Sequence, residues 1–484
     1  MHFFSLFTFL TILHVLIIIG MSIRIITLRL PVTVSLAWLI LVFFLPLVGA
    51  AAFLVLGEKR LGRKYTERTR AIWGRYRNWL HDLPPEVRSD PQKLSPEARA
   101  LSRLTENAVN IPALSGNRLE LLDAAEPILQ AMISDIDRAR RFCHLEFYIW
   151  TEGGLTDEVG SALLRAAGRG VTCRVLLDAI GSAKFQKGQL LEQLKAGGVE
   201  VAFALPVSLI SVFGIRPDLR LHRKIVVIDD AAAYTGSFNL VDPRLFKQDA
   251  GVGEWVDAMV RLEGPGVLAL NALFRWDWEV ETGRDLNAEV EEGDPSSVHR
   301  AGDTDVQVVP SGPGIAGNNV YQLLLLSIYS ARREIVVTTP YFVPDEAVMK
   351  ALELAALRGV DVRVITTGKG DSLPVYLAAF HYIDQLRDLG IKFYAYKPGF
   401  LHEKVMLVDD NVSTVGTANF DNRSFRLNFE VTAVINDVDF ASQMEQMFEA
   451  DFAHAELIDP AELDEKPFWW HLGVNLSRLA SPVL

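Results

Sequence analysis

Two stretches near the start of the chain, Phe3 to Ile23 and Pro31 to Leu56, contain no Asp, Glu, Lys or Arg. At about 1.5 Å per helical residue, runs of roughly 20 to 25 residues are long enough to cross a hydrocarbon core of about 30 Å. The pattern predicts a transmembrane helical hairpin over residues 1–57, with Pro46 and Gly49 as kink or packing positions in the second arm and only Arg24 and Arg29 charged in the link. A cleaved signal peptide competes with this reading, but the start lacks a basic segment and a second apolar run follows at once.

Lys59, Arg60, Arg63, Lys64, Arg68, Arg70, Arg75 and Arg77 come next, against only Glu58 and Glu67. Such an excess marks the cytoplasmic side, which puts both chain ends and the large remainder there. With Trp73 and Trp79 among the charges, the segment suits either a helix lying on anionic lipid or a solvated topogenic one. Residues 58–115 therefore read as a basic juxtamembrane segment and a proline-containing linker.

From residue 116 the apolar positions alternate between period 3.6 and period 2 in two similar rounds. ILQAMISDIDRARRFCHLEFYIW and GSALLRAAGRGVTCRVLLDAIGS read as helix then strand, and are answered by YQLLLLSIYSARREIVVTTPYFV and MKALELAALRGVDVRVITTGKGD. The expected fold is α/β: two pseudo-symmetric domains, 116–295 and 296–484, each a mixed sheet flanked by helices. An apolar insertion, LPVSLISVFGIRPDLR, precedes the site of the first copy only and reads as packing in preference to touching lipid.

The repeat is sharpest where LHRKIVVIDDAAAYTGSFNL, from Leu221, returns as LHEKVMLVDDNVSTVGTANF, from Leu401. Leu, His, Lys, both Asp, Gly and Asn keep their places while most other positions vary, so a site has been repeated and not merely a strand. In the extended run, His222 and Lys224 share one face, as do His402 and Lys404. The aspartates that complete the motif, Asp229 and Asp409, count with the catalytic set by pattern, yet they sit at the turn and read as shaping it. Two imidazoles offer a nucleophile and a general acid, while ammonium and amide groups match the charge developing on a phosphoryl group.

Composition narrows the partners. A formal charge of -12 argues against a general nucleic-acid binder. Cys143 and Cys173 form no CxxC pair, no HExxH or carboxylate cluster indicates a metal, and there is no phosphate-binding GxxxxGK[ST] loop. Neither metal nor cofactor is expected, and the compartment is expected to be reducing.

HxKxxxxD twice, each followed by Gly-Ser/Thr-x-Asn, resembles the paired signature of the phospholipase D superfamily. PLVGAAAFLVLGE, FYIWTEGG, VPSGP, TTPYFVP, NFDNRSFRLNFE and the ending SRLASPVL are similar to the two-span bacterial cardiolipin synthases. That resemblance implies a multi-pass protein of the bacterial inner membrane. It also implies phosphatidyl transfer between two phosphatidylglycerol molecules, giving cardiolipin and glycerol through a phosphatidyl-histidine. His222 is the implied nucleophile and His402 the acid and then base. Lys224, Lys404, Asn239, Asn419, Ser237 and Thr417 would hold phosphate, and Asp257 and Glu430, in the strands that follow, would orient the histidines. Phe468, Trp469 and Trp470, clustered near the end, read either as lying at the bilayer interface or as closing the core, and the interface is favoured because that is where the implied substrate is. A membrane-bound phospholipase D making phosphatidic acid, a nuclease and a non-catalytic scaffold on the same fold are the competing functions.

Overall fold

The computed structural model describes residues 2–28, 30, 32–57, 63–206, 218–286, 299–315, 317–479 and 481. Residues 1–66 with 207–219 make one compact unit, and 67–206 with 220–484 make the other.

The first unit is two helical arms. Helix His2–Thr27 faces Val32–Phe44, which is followed by Pro46–Ala52 and a π turn, Phe53–Gly57. Ile25, Val42 and Phe53 are fully buried between them, with Trp38 edge-on to Phe53 at 5.3 Å. Among the described residues no helix is long and apolar enough to cross a membrane, so the two expected spans are not shown by these helices. In the second arm Leu45 leaves helical geometry ahead of Pro46, as the residue before a proline does, and divides the run into pieces of 13 and 7 residues. In the first, the side chains of residues 1–7 and 10 lie outside those described. So do Arg29, Glu58, Lys59 and Arg60, residues 207–217 of the apolar insertion, and the last three residues.

The larger unit is built on a sheet of fifteen strands among the described residues. At its centre Leu114–Leu122 runs antiparallel to Thr304–Ser311, and the same succession leads outward from each. First comes the strand next to the candidate carboxylate, Met259–Glu263 just after Asp257 or Glu430–Asn436, which Glu430 begins. Ala232–Gly236 or Val412–Gly416 is next, then Ile225–Ile228 or Val405–Val408, which leads out of the His and Lys pair. Three parallel strands follow on each side, Phe142–Phe147, Thr172–Asp178 and Glu200–Ala204 on one and, on the other, inside an antiparallel edge strand Ala455–Leu457, Glu334–Thr338, Asp361–Thr367 and Lys392–Tyr396. Their helical connections are what parallel pairing requires. Period two is visible in Phe142–Phe147: Cys143, Leu145 and Phe147 enter the core beneath the helices of residues 125–196, while His144 stacks on Phe274 of helix Gly266–Thr282 on the other face.

Asp229 and Asp230 form the turn of the hairpin from Ile225–Ile228 to Ala232–Gly236, both with positive φ (56° and 57°), a conformation that Asp tolerates. The Asp229 carboxylate accepts the backbone N–H groups of Arg140, Arg141 and Phe142. Asp409 (φ 54°) does the same for Arg332, Arg333 and Glu334. Each therefore ties the turn to the entry of the neighbouring strand, about 20 Å of extended chain from its histidine. Counting Asp229 and Asp409 with the catalytic set is corrected accordingly. The motif glycine has an equally local reason: a Cβ on Gly236 (φ 155°) would lie 2.3 Å from the carbonyl oxygen of Ala258 on the next strand.

The basic segment is also not as expected. Helix Arg63–His81 buries Trp73 against Trp276, 4.9 Å between ring centroids, while Arg75 pairs with Glu279 at 2.6 Å and with Asp285 at 3.0 Å. Trp73 and Arg75 thus serve the larger unit and not a lipid surface. Within the expected linker, helix Pro96–Val109 is capped by Ser95 and sends Ala98 and Leu101 into the core of the second half.

Removing the acceptor of three backbone amides in Asp229→Ala should lower unfolding stability by about 2 kcal/mol. Thermal unfolding in detergent checks this, with unchanged specific activity of the folded fraction. An unshifted midpoint with lost activity would instead place Asp229 in the chemistry.

Candidate active site

The two histidines are positioned by backbone contacts that cross between the halves. His222 N–H donates to the carbonyl of Phe429 at 3.0 Å, and Phe429 N–H returns a bond to Arg220 at 2.9 Å. On the other side Phe400–Leu401 pairs parallel with Trp255–Val256, and His402 N–H donates to Val256 at 2.7 Å. Each histidine thus sits against the segment of the opposite half that carries a candidate carboxylate.

The side chains exchange in the same way. Glu430, in the second half, lies 2.9 and 3.1 Å from Nδ1 of His222 in the first, and Asp257, in the first half, lies 2.6 Å from Nδ1 of His402 in the second. Behind each carboxylate stands a hydroxyl donor: Thr417 bonds Glu430 at 2.5 Å, and Ser237 bonds Asp257 at 2.6 Å. A carboxylate on Nδ1 fixes that nitrogen as the N–H and leaves Nε2 as the free lone pair.

Burial sets the protonation of this cluster. It lowers His222 to about 4 and His402 to about 3, the lysines of both halves adding to the effect, so both rings are neutral at pH 7. Burial likewise brings Lys224 to about 7, with Lys404 repelling it, and Lys404 to about 8. Burial pushes Asp257 and Glu430 up, but the facing imidazoles and the site lysines hold both below the ordinary carboxylate range. Lys224 Nζ donates to the carbonyl of His222 at 2.7 Å, and Lys404 Nζ donates to that of His402. Two N–H groups of each ammonium remain for a phosphate. Among the described residues no group of three His, Cys, Asp or Glu is arranged to hold a metal ion.

A family model described as "Cardiolipin synthase, PLD-like domain" matches residues 132–259 and 324–452, one copy in each half. Cardiolipin synthase A of Cronobacter sakazakii is 41% identical over 469 residues, 97% of this chain and 96% of that protein. Cardiolipin synthase A of Salmonella arizonae is 40% identical over 483 residues, 100% and 99% of the two chains. The chain belongs to the cardiolipin synthase family. Phosphatidylserine synthase of Haemophilus influenzae has a similar fold, with a TM-score of 0.58 at 16% identity over 79% of this chain and all of that one.

In this cardiolipin synthase fold His222, Lys224, His402, Lys404, Asp257 and Glu430 converge, as the sequence pattern leads one to expect. The exchange of carboxylates between halves is new. Ser237 and Thr417 are placed differently from the phosphate-holding role expected of them, since their hydroxyls are engaged by the orienting carboxylates. Asn239 Oδ1 accepts Ile149 N–H at 3.2 Å, from the segment after strand Phe142–Phe147, and Asn419 Nδ2 donates to Asp421 at 3.0 Å within its own loop, so part of each amide is engaged by backbone or side chain beside the site. Three neighbours escaped the sequence reading. Tyr148 stands edge-on to His222 at 5.1 Å, Trp255 lies over His402 at 4.2 Å, and Asp178 receives Leu221 N–H at 3.0 Å. Trp255 could have been found from its place two residues before Asp257 on a strand face, whereas Tyr148, just past strand Phe142–Phe147, and Asp178, at the end of strand Thr172–Asp178, are brought near only by the fold.

An ammonium with a lowered pKa is fully present below that value and is lost as pH rises through it. The kcat/KM for an anionic phosphodiester should therefore fall with rising pH between about 7 and 8, not near 10.5, and its acid limb should lie near 4. In Lys224→Arg, which stays protonated, any remaining activity should hold to higher pH. A profile flat to pH 9 in the parent enzyme would contradict this electrostatic picture.

Proposed function

We infer that this chain is a cardiolipin synthase, joining two phosphatidylglycerol molecules into cardiolipin and releasing glycerol. The observation that carries the reading is full-length identity of 40–41% to proteins named cardiolipin synthase A, together with two opposed imidazoles, each oriented through Nδ1.

In the proposed first step, Nε2 of His222 attacks the donor's phosphorus and a P–N bond forms. The bond from phosphorus to the headgroup oxygen breaks, and His402 gives that oxygen a proton as glycerol leaves. Lys224 and Lys404, with the free amide hydrogens of Asn239, face the phosphoryl oxygens and offset their charge. The arriving anion also opposes the lysines' effect on the imidazoles, raising His402 toward the protonated form that an acid needs.

The terminal hydroxyl of a second phosphatidylglycerol then takes glycerol's place. His402 receives its proton as the oxygen bonds to phosphorus, and the P–N pair returns to His222. One phosphodiester is exchanged for another, so the reaction needs no nucleotide and runs in either direction. His222 and His402 are only 8% and 5% exposed, which favours an alcohol that binds over water that diffuses in. Water as acceptor would give phosphatidic acid, the hydrolase alternative.

The N-terminal arms are proposed as the membrane anchor, with the catalytic body on the cytoplasmic side of a bacterial inner membrane. Support comes from the outward side chains of both arms, including Ile12, Leu16, Ile19 and Ile23 on the first and Leu36, Ile40, Phe43 and Leu47 on the second, all well exposed.

With labelled phosphatidylglycerol alone, the purified protein should form cardiolipin and equimolar glycerol, identified by mass. Phosphatidic acid as the main product would move the reading to a phospholipase D. His222→Ala and His402→Ala should each reduce cardiolipin formation by roughly a thousandfold or more while leaving the protein folded and in the membrane. Substantial turnover by either would contradict the shared site.

A further inference from the structure

The C-terminal helix Phe468–Leu479 has an inner and an outer apolar side. Inward, Val474 is buried and Trp470 packs edge-on against Phe380 of helix Leu373–Arg387 at 5.3 Å. Outward, Trp469, Leu472, Leu476 and Leu479 recur at i, i+3, i+7 and i+10, with Phe468 beside them, and Phe468, Trp469 and Leu479 are 69–75% exposed. His471, Asn475 and Arg478 form a polar strip alongside.

Beyond its end, the carbonyl of Ser481 accepts Nδ2 of Asn422 at 3.3 Å, three residues from Asn419. Whatever the outer face rests on is thereby held close to the loop that enters the active site.

We propose that this face of helix Phe468–Leu479 docks in the surface of the bilayer and turns the mouth of the cleft toward the lipid. The inference rests on the reading that the substrate is a membrane phospholipid. Three features favour lipid as the occupant. The face joins Trp and Phe at one end to a leucine stripe with a polar strip beside it, which is the composition of helices that lie in an interface. It is continuous with a loop of the lipid-handling site. The proposed acceptor and donor are both bilayer lipids, whose headgroups reach the buried histidines with least displacement if the cleft mouth lies on the membrane.

The test uses the full-length protein in vesicles of phosphatidylethanolamine and phosphatidylglycerol, with a nitroxide on Trp469→Cys or, as a polar-strip control, on Asn475→Cys; native Cys143 and Cys173 are buried. The expected result is that dissolved oxygen relaxes the label at 469 more than a water-soluble nickel chelate does, with the reverse at 475. Equal access of the chelate to both sites would overturn the proposal. Shielding of 469 from both reagents would also overturn it, since a second copy or another part of this chain would then cover the face. As a functional arm, Trp469→Glu with Leu476→Glu should lower cardiolipin formation in vesicles by about tenfold and by less than twofold with short-chain lipid in micelles. Equal losses in both would contradict a docking role. The depth reading does not depend on the product formed, so its failure and a failure of the synthase reading are separately visible.

Discussion

Each imidazole of the site is held by a carboxylate from the other half: His222 by Glu430, and His402 by Asp257. Neither half contains a complete catalytic histidine by itself. With both rings almost fully buried, loss of a partner would leave an imidazole whose tautomer nothing fixes and a carboxylate without its donor, a costly state away from water. The paired chain segments at Leu221 with Phe429 and at Phe400–Leu401 with Trp255–Val256 follow from the same exchange, because they deliver the carboxylates.

The continuous sheet makes this possible. Joining Leu114–Leu122 to Thr304–Ser311 sets the two repeats about one pseudo-twofold axis, so whatever the first copy offers on one side of the cleft the second offers on the other. The copies differ where the chemistry is unequal. Two residues before His222 stands Arg220, beside Asp178 at 3.4 Å, and in the same position before His402 stands Phe400, packed against Trp255. At this position the His222 side carries a charge and the His402 side an aromatic ring, a physical asymmetry on which the proposed division of labour between nucleophile and acid can rest.

Much of this architecture was legible in the chain. Two rounds of alternating helix and strand patterns, and a gap-free repeat of His, Lys, Gly and Asn, indicate a doubled site, and period two puts His222 and Lys224 on one face. Periodicity does not say which strand of the other half crosses a given face, so the exchange of Asp257 and Glu430 was out of reach, and with it the engagement of Ser237 and Thr417. Trp73 illustrates the other limit. A tryptophan among arginines looks the same whether it meets lipid or, as here, Trp276. In the second N-terminal run, hydropathy alone does not weigh the break that Pro46 imposes at Leu45.

The central claim is that two motifs make one site with one nucleophile. It is tested most directly with a phosphatidyl ester of p-nitrophenol, a leaving group that needs no acid, mixed with His402→Ala enzyme and denatured at neutral pH for peptide mass analysis. The expected result is a burst of about one nitrophenol per chain and a phosphatidyl adduct on His222. Adducts on both motifs in the parent enzyme, or no adduct and no burst, would contradict it.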